Sequence, residues 1–265
     1  MDLGLGNKVF LITGATSGIG QASATLLLDE GATVMMSARS SQADAEAWHK
    51  LRRTFGERCA YIGADLEDID GPSRAVEATV RNFGRIDGAV VNGVPTPMGG
   101  LIDTSDKDLH GRLQGKAVAC ARLARAAVPE MRSKGGGVLI FVAGISAHSA
   151  GGQAYLSGTM ATTAIHGLTK SLADEVAKDG IRVVTVDPGL TDTRRLRLEM
   201  LPRLISETRL DEQTILEELC QKIPLGRMAD ASDIADAIVF LASRRAKHIT
   251  GTYLLVDGGA SRSVR

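Results

Sequence analysis

The sequence of 265 residues has 31 lysines and arginines against 31 aspartates and glutamates, so its formal net charge is zero. This balance argues against a general nucleic-acid or membrane-surface binder, which would be basic. The three cysteines (Cys59, Cys120 and Cys220) have no paired spacing, so we expect no disulfide framework and no metal site, and a reducing cytoplasm fits. We expect no signal peptide, and no apolar run approaches the ~20 residues that span a bilayer.

Strand-like and helix-like segments alternate along the chain. Strands are predicted at 8–12, 33–37, 59–63, 88–91, 138–142, 181–186 and 253–256, and helices at 21–30, 42–55, 69–83, 105–131, 153–178 and 233–243. Gly84 is predicted as a helix C-cap, and Ser105 and Ser232 as N-caps. The polar, arginine-rich segment 193–221 is predicted to be partly helical.

Apolar strands separated by helices predict a parallel sheet with helices on both faces. Right-handed crossovers then give an α/β fold with a doubly wound, Rossmann-type sheet, whose ligands bind at the carboxyl ends of the strands. No linker or internal repeat interrupts the pattern, so we predict a single domain over residues 1–265.

A glycine-rich turn follows the first predicted strand and precedes a helical pattern. It reads Thr13-Gly14-Ala15-Thr16-Ser17-Gly18-Ile19-Gly20. The N-terminus of a helix offers unpaired N–H groups and partial positive charge that suit a pyrophosphate, and glycines let the backbone approach the phosphates. The alternative is a glycine-rich turn without a ligand. We predict a dinucleotide site that uses Gly14, Thr16, Ser17, Gly18, Ile19 and Gly20.

This turn resembles the cofactor signature of the short-chain dehydrogenase/reductase family, and the resemblance covers nearly the whole chain. Residues 188–193 match the Pro-Gly-x-x-x-Thr segment of the family, and 223–227 and 249–259 are typical of its C-terminal part. The resemblance implies a seven-stranded parallel sheet, a dimer or tetramer, a small-molecule carbonyl or alcohol substrate, and a lid at about 193–222. It also implies cofactor contacts by Asp65, Leu66, Asn92, Gly93, Pro188, Gly189 and Thr193.

The end of the second predicted strand bears on the choice of cofactor. An acidic residue there would bind the ribose hydroxyls and select NAD, but the sequence reads Ser37-Ala38-Arg39-Ser40. Arg39 can pair with a 2′-phosphate, and Ser40 adds a donor. We therefore predict NADP over NAD. The alternatives are that Arg39 stacks on the adenine or is a solvated surface residue.

Of the four catalytic side chains that the resemblance implies, the sequence keeps only the tyrosine, Tyr155, as proton donor. Thr159 stands in place of the lysine, Gly144 in place of the serine and Lys116 in place of the asparagine. The lost lysine matters because an unperturbed tyrosine has a pKa near ~10, too high for efficient proton exchange at neutral pH.

Several residues are candidates for the missing functions. Lys116 would supply a positive charge near Tyr155; otherwise it is a solvated or ion-paired lysine. Ser146, or less favourably Ser149, would replace the hydroxyl, unless these side chains serve only local backbone groups. His148 can donate a proton near neutral pH, although a lone loop histidine is expected to be exposed. His166 is expected at a helix or subunit contact.

The lid segment is rich in arginine, and its role is open. The residues concerned are Arg194, Arg195, Arg197, Arg203 and Arg209. They would meet an anionic substrate, such as a carboxylate or a phosphopantetheine carrier, or they form the solvated face of an amphipathic helix. The helical spacing of the apolar residues between them favours the solvated face.

Together these features predict an NADP(H)-dependent oxidoreductase with an atypical active site. Two alternatives stay open: a catalytically degenerate member that binds nucleotide as a sensor, scaffold or partner subunit, and a non-redox enzyme that uses the dinucleotide structurally.

Overall fold

The computed structural model describes residues 2–39, 45–93, 100–148 and 156–262. Its strands are β1 (Val9–Thr13), β2 (Thr33–Ala38), β3 (Cys59–Gly63), β4 (Gly88–Val91), β5 (Gly137–Val142), β6 (Ile181–Pro188), β7 (Thr191–Asp192), β8 (Ala229–Asp230) and β9 (Thr252–Val256). Seven of them form one parallel sheet in the order β3-β2-β1-β4-β5-β6-β9, and β7 pairs with β8 separately. The predicted seven-stranded parallel sheet is confirmed.

The α-helices of these ranges are α1 (Gly18–Asp29), α2 (Glu46–Phe55), α3 (Gly71–Phe83), α4 (Asp106–Leu113), α5 (Ala119–Ser133), α6 (Leu156–Val176), α7 (Leu201–Thr208), α8 (Glu212–Gln221) and α9 (Ala231–Ala242). A π-helical turn, Gln114–Val118, joins α4 to α5, and a second one, Leu196–Met200, leads into α7. Within the described ranges, no helix has the length and apolarity needed to cross a membrane.

The chain changes direction across the sheet between β1 and β4. Strand β1 pairs with β2 on one side and with β4 on the other, although β4 follows β3 in sequence. Such a switch point leaves a crevice above the carboxyl ends of the two strands, where open α/β sheets bind their ligands. Thr13 and Val91 are the last residues of β1 and β4, so the glycine turn lies at this crevice.

Two apolar layers cover the two faces of the sheet. In β1, Phe10 and Ile12 face one layer and Leu11 faces the other, as the two-residue period of a strand requires. All three side chains are buried, and each contributes about 1.5–3 kcal/mol relative to an exposed side chain. This packing fixes the end of β1 and the turn that follows it.

The predicted helix caps agree with the structure at two of three positions. Gly84 ends α3 in the left-handed conformation (φ +74°), and the Ser105 Oγ accepts a hydrogen bond from the Asp108 N–H at 3.2 Å. The prediction that Ser232 is the N-cap of the helix over 233–243 is wrong. The N-cap of α9 is Asp230, since the helix begins at the next residue. The Asp230 N–H donates to the Asp233 carboxylate at 2.8 Å, which strengthens this cap.

Candidate active site

The turn between β1 and α1 is built so that backbone atoms approach closely. Gly14 and Gly18 have φ of +59° and +53°, a region that side chains disfavour. A Cβ on Gly20 would lie 2.3 Å from the Gly14 carbonyl oxygen. Helix α1 starts at Gly18 and has no acidic residue in its first turn. A bare helix N-terminus beside a turn without side chains fits the pyrophosphate of a dinucleotide.

Thr16, Ser17 and Ile19 are the other residues of this turn that are predicted to bind the dinucleotide. Thr16 is half-buried, and Ser17 is exposed at the N-cap position of α1. Ile19 packs against the apolar layer below, which orients the first turn of the helix. The Ala15 N–H donates to the Ser37 carbonyl at 3.1 Å, so the turn is tied to β2.

The end of β4 is fastened to the end of β1. The Thr13 hydroxyl donates to the Asn92 carbonyl at 2.8 Å and accepts from the Asn92 N–H at 2.9 Å. The Asn92 side-chain amide donates to the Gly14 carbonyl at 3.4 Å. A Cβ on Gly93, whose φ is +106°, would lie 3.3 Å from the Gly14 Cα. Asn92 and Gly93 therefore border the glycine turn, and their contact with a cofactor stays a prediction.

The segment after β6 also lies beside the glycine turn. The Gly189 N–H donates to the Val256 carbonyl at 2.8 Å, which aligns Pro188 and Gly189 with the edge strand β9. A Cβ on Gly18 would lie 3.3 Å from the Thr193 methyl carbon. Thr193 thus stands beside the start of α1. The predicted contacts from three parts of the sequence meet at the carboxyl ends of β1, β4 and β6.

The predicted adenosine contacts follow β2 and β3. Arg39 is exposed at the end of β2, and its guanidinium makes no ion pair with a described residue. Asp65 follows β3, and its Oδ1 accepts from the Glu67 N–H at 3.0 Å, while Leu66 is buried. Ser40 lies outside the described residues.

Lys116 lies in the π-helical turn between α4 and α5, and its ammonium reaches the end of β5. Its Nζ donates to the Ala143 carbonyl at 3.0 Å, and the side chain is partly buried. Burial, together with the nearby positive charge of Arg195, lowers the pKa of Lys116 to about 8. Lys116 is therefore neither an ordinary solvated lysine nor one ion-paired with a described residue.

Gly144, which stands in place of the family serine, has φ +137° and ψ 160°. A side chain is strained there, although no atom lies within 4 Å of its ideal Cβ position. Its N–H donates to Asp187 Oδ1 at 3.1 Å. Thr159, in place of the lysine, lies in the first turn of α6. Tyr155 and Ser149 lie outside the described residues.

The hydroxyl of Ser146 is engaged with helix α6. Its Oγ lies 3.1 Å from the Thr162 Oγ1, which itself donates to the Gly158 carbonyl at 2.8 Å. The partner is thus a side chain of α6 and not the local backbone group considered as the alternative to catalysis, and a role for Ser146 in the reaction stays a prediction.

The expectation that His148 is exposed is wrong. Its side chain is 2% exposed, and its Nε2 lies 2.6 Å from Asp187 Oδ2. His166, expected at a helix or subunit contact, lies with its Nε2 2.8 Å from the same oxygen. Sequence reasoning missed Asp187, whose only signal is an acidic residue inside an apolar strand. Both imidazoles lie inside the protein because each can donate a hydrogen bond to the buried carboxylate.

The arginines of the segment 193–221 are largely paired with acidic neighbours. Arg197 binds both oxygens of Asp192, at 2.9 and 2.6 Å, and also Glu212 at 3.1 Å. Arg203 pairs with Glu207, and Arg195 lies 3.6 Å from Glu199.

The other two arginines of this segment are Arg194 and Arg209, and an apolar cluster lies beneath its helices. Arg194 is exposed, and Arg209 ends α7 in the left-handed conformation. Leu196, Leu201 and Ile215 form an apolar cluster beneath the helices. The amphipathic-helix alternative describes this segment best.

Known proteins are similar to this chain in sequence and in fold. A family model described as enoyl-(acyl carrier protein) reductase matches residues 14–261. Oxidoreductase UcpA of Salmonella typhimurium is 31% identical over 260 residues, which are 97% of this chain and 95% of that protein. Dehydrogenase/reductase SDR family member 4 of Caenorhabditis elegans is 31% identical over 253 residues, 95% of this chain and 94% of that one.

A solved structure agrees over the full length. L-sorbose reductase of Gluconobacter frateurii, complexed with NADPH and L-sorbose, superimposes with a TM-score of 0.93 at 32% identity, covering 100% of both chains. The oxidoreductase alternative is thereby favoured over a sensor or scaffold. The glycine turn at the switch point, the seven-stranded sheet and these full-length relatives establish that the chain is an oxidoreductase of the short-chain dehydrogenase/reductase family.

Proposed function

We propose that this oxidoreductase transfers hydride between NADP(H) and a small carbonyl or alcohol substrate, with Tyr155 as proton donor. The observation that carries the proposal is that Gly18 and Thr193, 175 residues apart in the chain, lie beside one another at the switch point. The Lys116 ammonium lies at the end of β5, the strand next to β4 in the same sheet.

The chain's own groups fit the cofactor. Gly14, Gly18 and Gly20 leave room for the pyrophosphate against the N-terminus of α1, and Thr193 would meet the nicotinamide end. Asp65 and Leu66 would contact the adenine. When bound, the nicotinamide supplies or accepts the hydride.

Arg39 supports NADP over NAD. Its exposed guanidinium has no acidic partner among the described residues, so it is available for a 2′-phosphate. No acidic residue ends β2, where a carboxylate would select the ribose hydroxyls of NAD. The relative solved with NADPH is consistent with this choice.

Lys116 would tune the proton donor. Tyr155 directly precedes α6, and the Lys116 ammonium lies at the start of the loop that connects β5 to that helix. A pKa of about 8 leaves most of the ammonium charged at neutral pH. A nearby positive charge favours the phenolate and so lowers the pKa of a tyrosine. Lys116 would thereby supply the charge that Thr159 cannot, and Ser146 would orient the substrate oxygen.

The segment 193–222 would act as the lid of this site. Its two helices carry their own apolar cluster, and Arg197 ties the start of the segment to α8 through Asp192 and Glu212. Family membership supports a homo-oligomer, a dimer or tetramer, and a cytoplasmic location fits the cysteine usage.

The test is the oxidation of NADPH against a panel of ketones, aldehydes and ketoses that includes L-sorbose. We expect turnover with at least one substrate, and we expect Tyr155→Phe to lose it. If NADPH binds tightly but no substrate is reduced, and Gly144→Ser with Thr159→Lys does not restore turnover, the proposal is wrong and a nucleotide sensor is the better account.

A further inference from the structure

Three side chains from separate parts of the chain bring metal-ligating atoms together beneath the loop after β5. His148 follows the short 3-10 turn Ile145–Ala147, His166 lies in α6, and Asp187 is in β6. One ligand atom from each lies within 4.8 Å of the others. We propose that His148, His166 and Asp187 bind a divalent transition-metal ion of the zinc type.

The carboxylate is the first argument. Asp187 is fully buried, and within the described part of the chain no lysine or arginine forms an ion pair with it. Hydrogen bonds from the two imidazoles and from the Gly144 N–H offset part of the cost of burying this charge. Two imidazole nitrogens and one carboxylate oxygen form a donor set that zinc and other first-row divalent ions bind well. A bound cation would compensate Asp187 and use all three groups.

The orientation of the ligands is the second argument. Both histidines present the same atom, Nε2, to the same oxygen, Asp187 Oδ2. The other oxygen, Oδ1, accepts from the Gly144 N–H at 3.1 Å, so Oδ2 is the oxygen that faces both imidazoles and would bind the ion in place of the two hydrogen bonds. Outer hydrogen bonds of this kind orient the ligands of metal sites.

The aromatic ring of Tyr253 supports both imidazoles. It stacks on His166 with ring centroids 4.8 Å apart and planes 8° apart, and it contacts His148 at 4.5 Å and 48°. Tyr253 comes from the edge strand β9, so the rings are packed from a fourth element. Packing of this kind reduces the ordering cost of binding.

Binding requires a small outward movement of the rings. Zinc lies about 2.0–2.1 Å from nitrogen and oxygen ligands, so tetrahedral ligand atoms stand about 3.3 Å apart. The observed distances of 2.6 and 2.8 Å from Nε2 to Oδ2 are shorter, and each imidazole must retreat by roughly 0.6 Å. A cavity of about 170 Å³ leaves space beside His166 and Tyr253, and a water would be the fourth ligand.

The proposal does not depend on the redox reaction, because none of the three ligands belongs to the proposed cofactor or proton-donor residues. Its role is structural: the ion would join β6, α6 and the loop that carries Gly144. A purely hydrogen-bonded cluster of Asp187 with two histidines is the competing arrangement.

The test is metal binding by the chelator-treated full chain. We expect ZnCl₂ to bind one ion per chain in calorimetry, and CoCl₂ to give the visible absorption of a four-coordinate ion. His166→Ala, His148→Ala and Asp187→Asn should each weaken binding at least about tenfold, the loss typical of disturbing a metal site. His248→Ala removes an exposed histidine elsewhere and should change nothing.

Absence of binding, or equal affinity in the three variants and the unaltered chain, would overturn the proposal. The variants change buried groups, so a second measurement avoids them altogether. X-ray absorption of the zinc-loaded unaltered chain should show two imidazole ligands, and one or none would contradict the assignment.

Discussion

The Lys116 ammonium donates a 3.0 Å hydrogen bond to the carbonyl of Ala143, the residue before Gly144. A cation is thus held at the end of β5, in the position that the family resemblance gives to an asparagine. Gly144 in turn donates its N–H to Asp187. Two of the three atypical positions, Lys116 and Gly144, are therefore close to each other at the end of β5.

Replacing Lys116 by methionine should reduce activity and change its pH dependence. In the proposed function this positive charge acts on Tyr155, so its loss should raise the pKa of the phenol and slow proton exchange at neutral pH. We expect kcat/KM at pH 7 to fall about 10²-fold, the low end for loss of acid–base support, with partial recovery at higher pH.

The matched control for this change is Lys107→Met, which removes an exposed lysine from α4. It should leave the pH profile unaltered. If Lys116→Met also leaves activity and profile unaltered, Lys116 has no part in the reaction.

Lys116 should also make stability depend on pH. Its pKa falls from 10.5 to about 8 on folding, so between these values the unfolded chain binds more protons and stability rises with pH. The penalty for the buried charge is fully present below pH 8. Relative to Lys116→Met, the free energy of unfolding of the unaltered chain should rise by about 1–3 kcal/mol from pH 7 to pH 10.

Urea unfolding of both chains at matched pH measures that difference. A constant difference across the range would show that Lys116 is not desolvated as described. A difference that falls with pH would contradict the sign of the shift.

Arg39→Ala should weaken NADPH binding and spare NADH. A hydrogen-bonded charge pair contributes about 1.5–3 kcal/mol, so we expect NADPH affinity to fall roughly 10- to 100-fold. Quenching of protein fluorescence or calorimetry can measure both nucleotides. Arg53→Ala, an exposed arginine in α2, is the control. Tighter binding of NADH than of NADPH by the unaltered chain would reject the assignment of NADP.

Gly20→Ala should weaken nucleotide binding. The new Cβ would lie 2.3 Å from the Gly14 carbonyl oxygen, so the turn must move away from α1. We expect at least a tenfold loss of NADPH affinity together with lower stability. Gly111→Ala in α4 is the matched control, because no atom outside the backbone of its own helix lies within 4 Å of the added Cβ. It should leave binding intact and stabilise the helix by up to about 1 kcal/mol.

The part of the site that could be predicted consists of residues that are adjacent in the sequence. The turn from Gly14 to Gly20 follows an apolar strand and opens a helix, so local chemistry alone indicates its place and its ligand class. Asn92 and Thr193 could be added because the resemblance aligns them, and the sheet order then brings them to the turn.

The cluster around Asp187 could not be predicted in this way. His148, His166 and Asp187 are far apart in sequence, and the fold brings together the three parts of the chain that carry them: the loop after β5, α6 and β6. The buried carboxylate decides where both imidazoles lie, which is why a loop histidine expected in solvent is buried. The cap of α9 shows the same limit at small scale, since Asp230 and Ser232 are both good cap residues.

The most direct test of the account is hydride transfer itself. The protein is incubated with a substrate that supports turnover and with NADPH deuterated at either face of C4 of the nicotinamide, and the product is analysed by mass spectrometry. We predict one deuterium on the former carbonyl carbon from one of the two labelled cofactors, and none with Tyr155→Phe. Substrate consumption without deuterium in the product from either cofactor would contradict the proposed reaction.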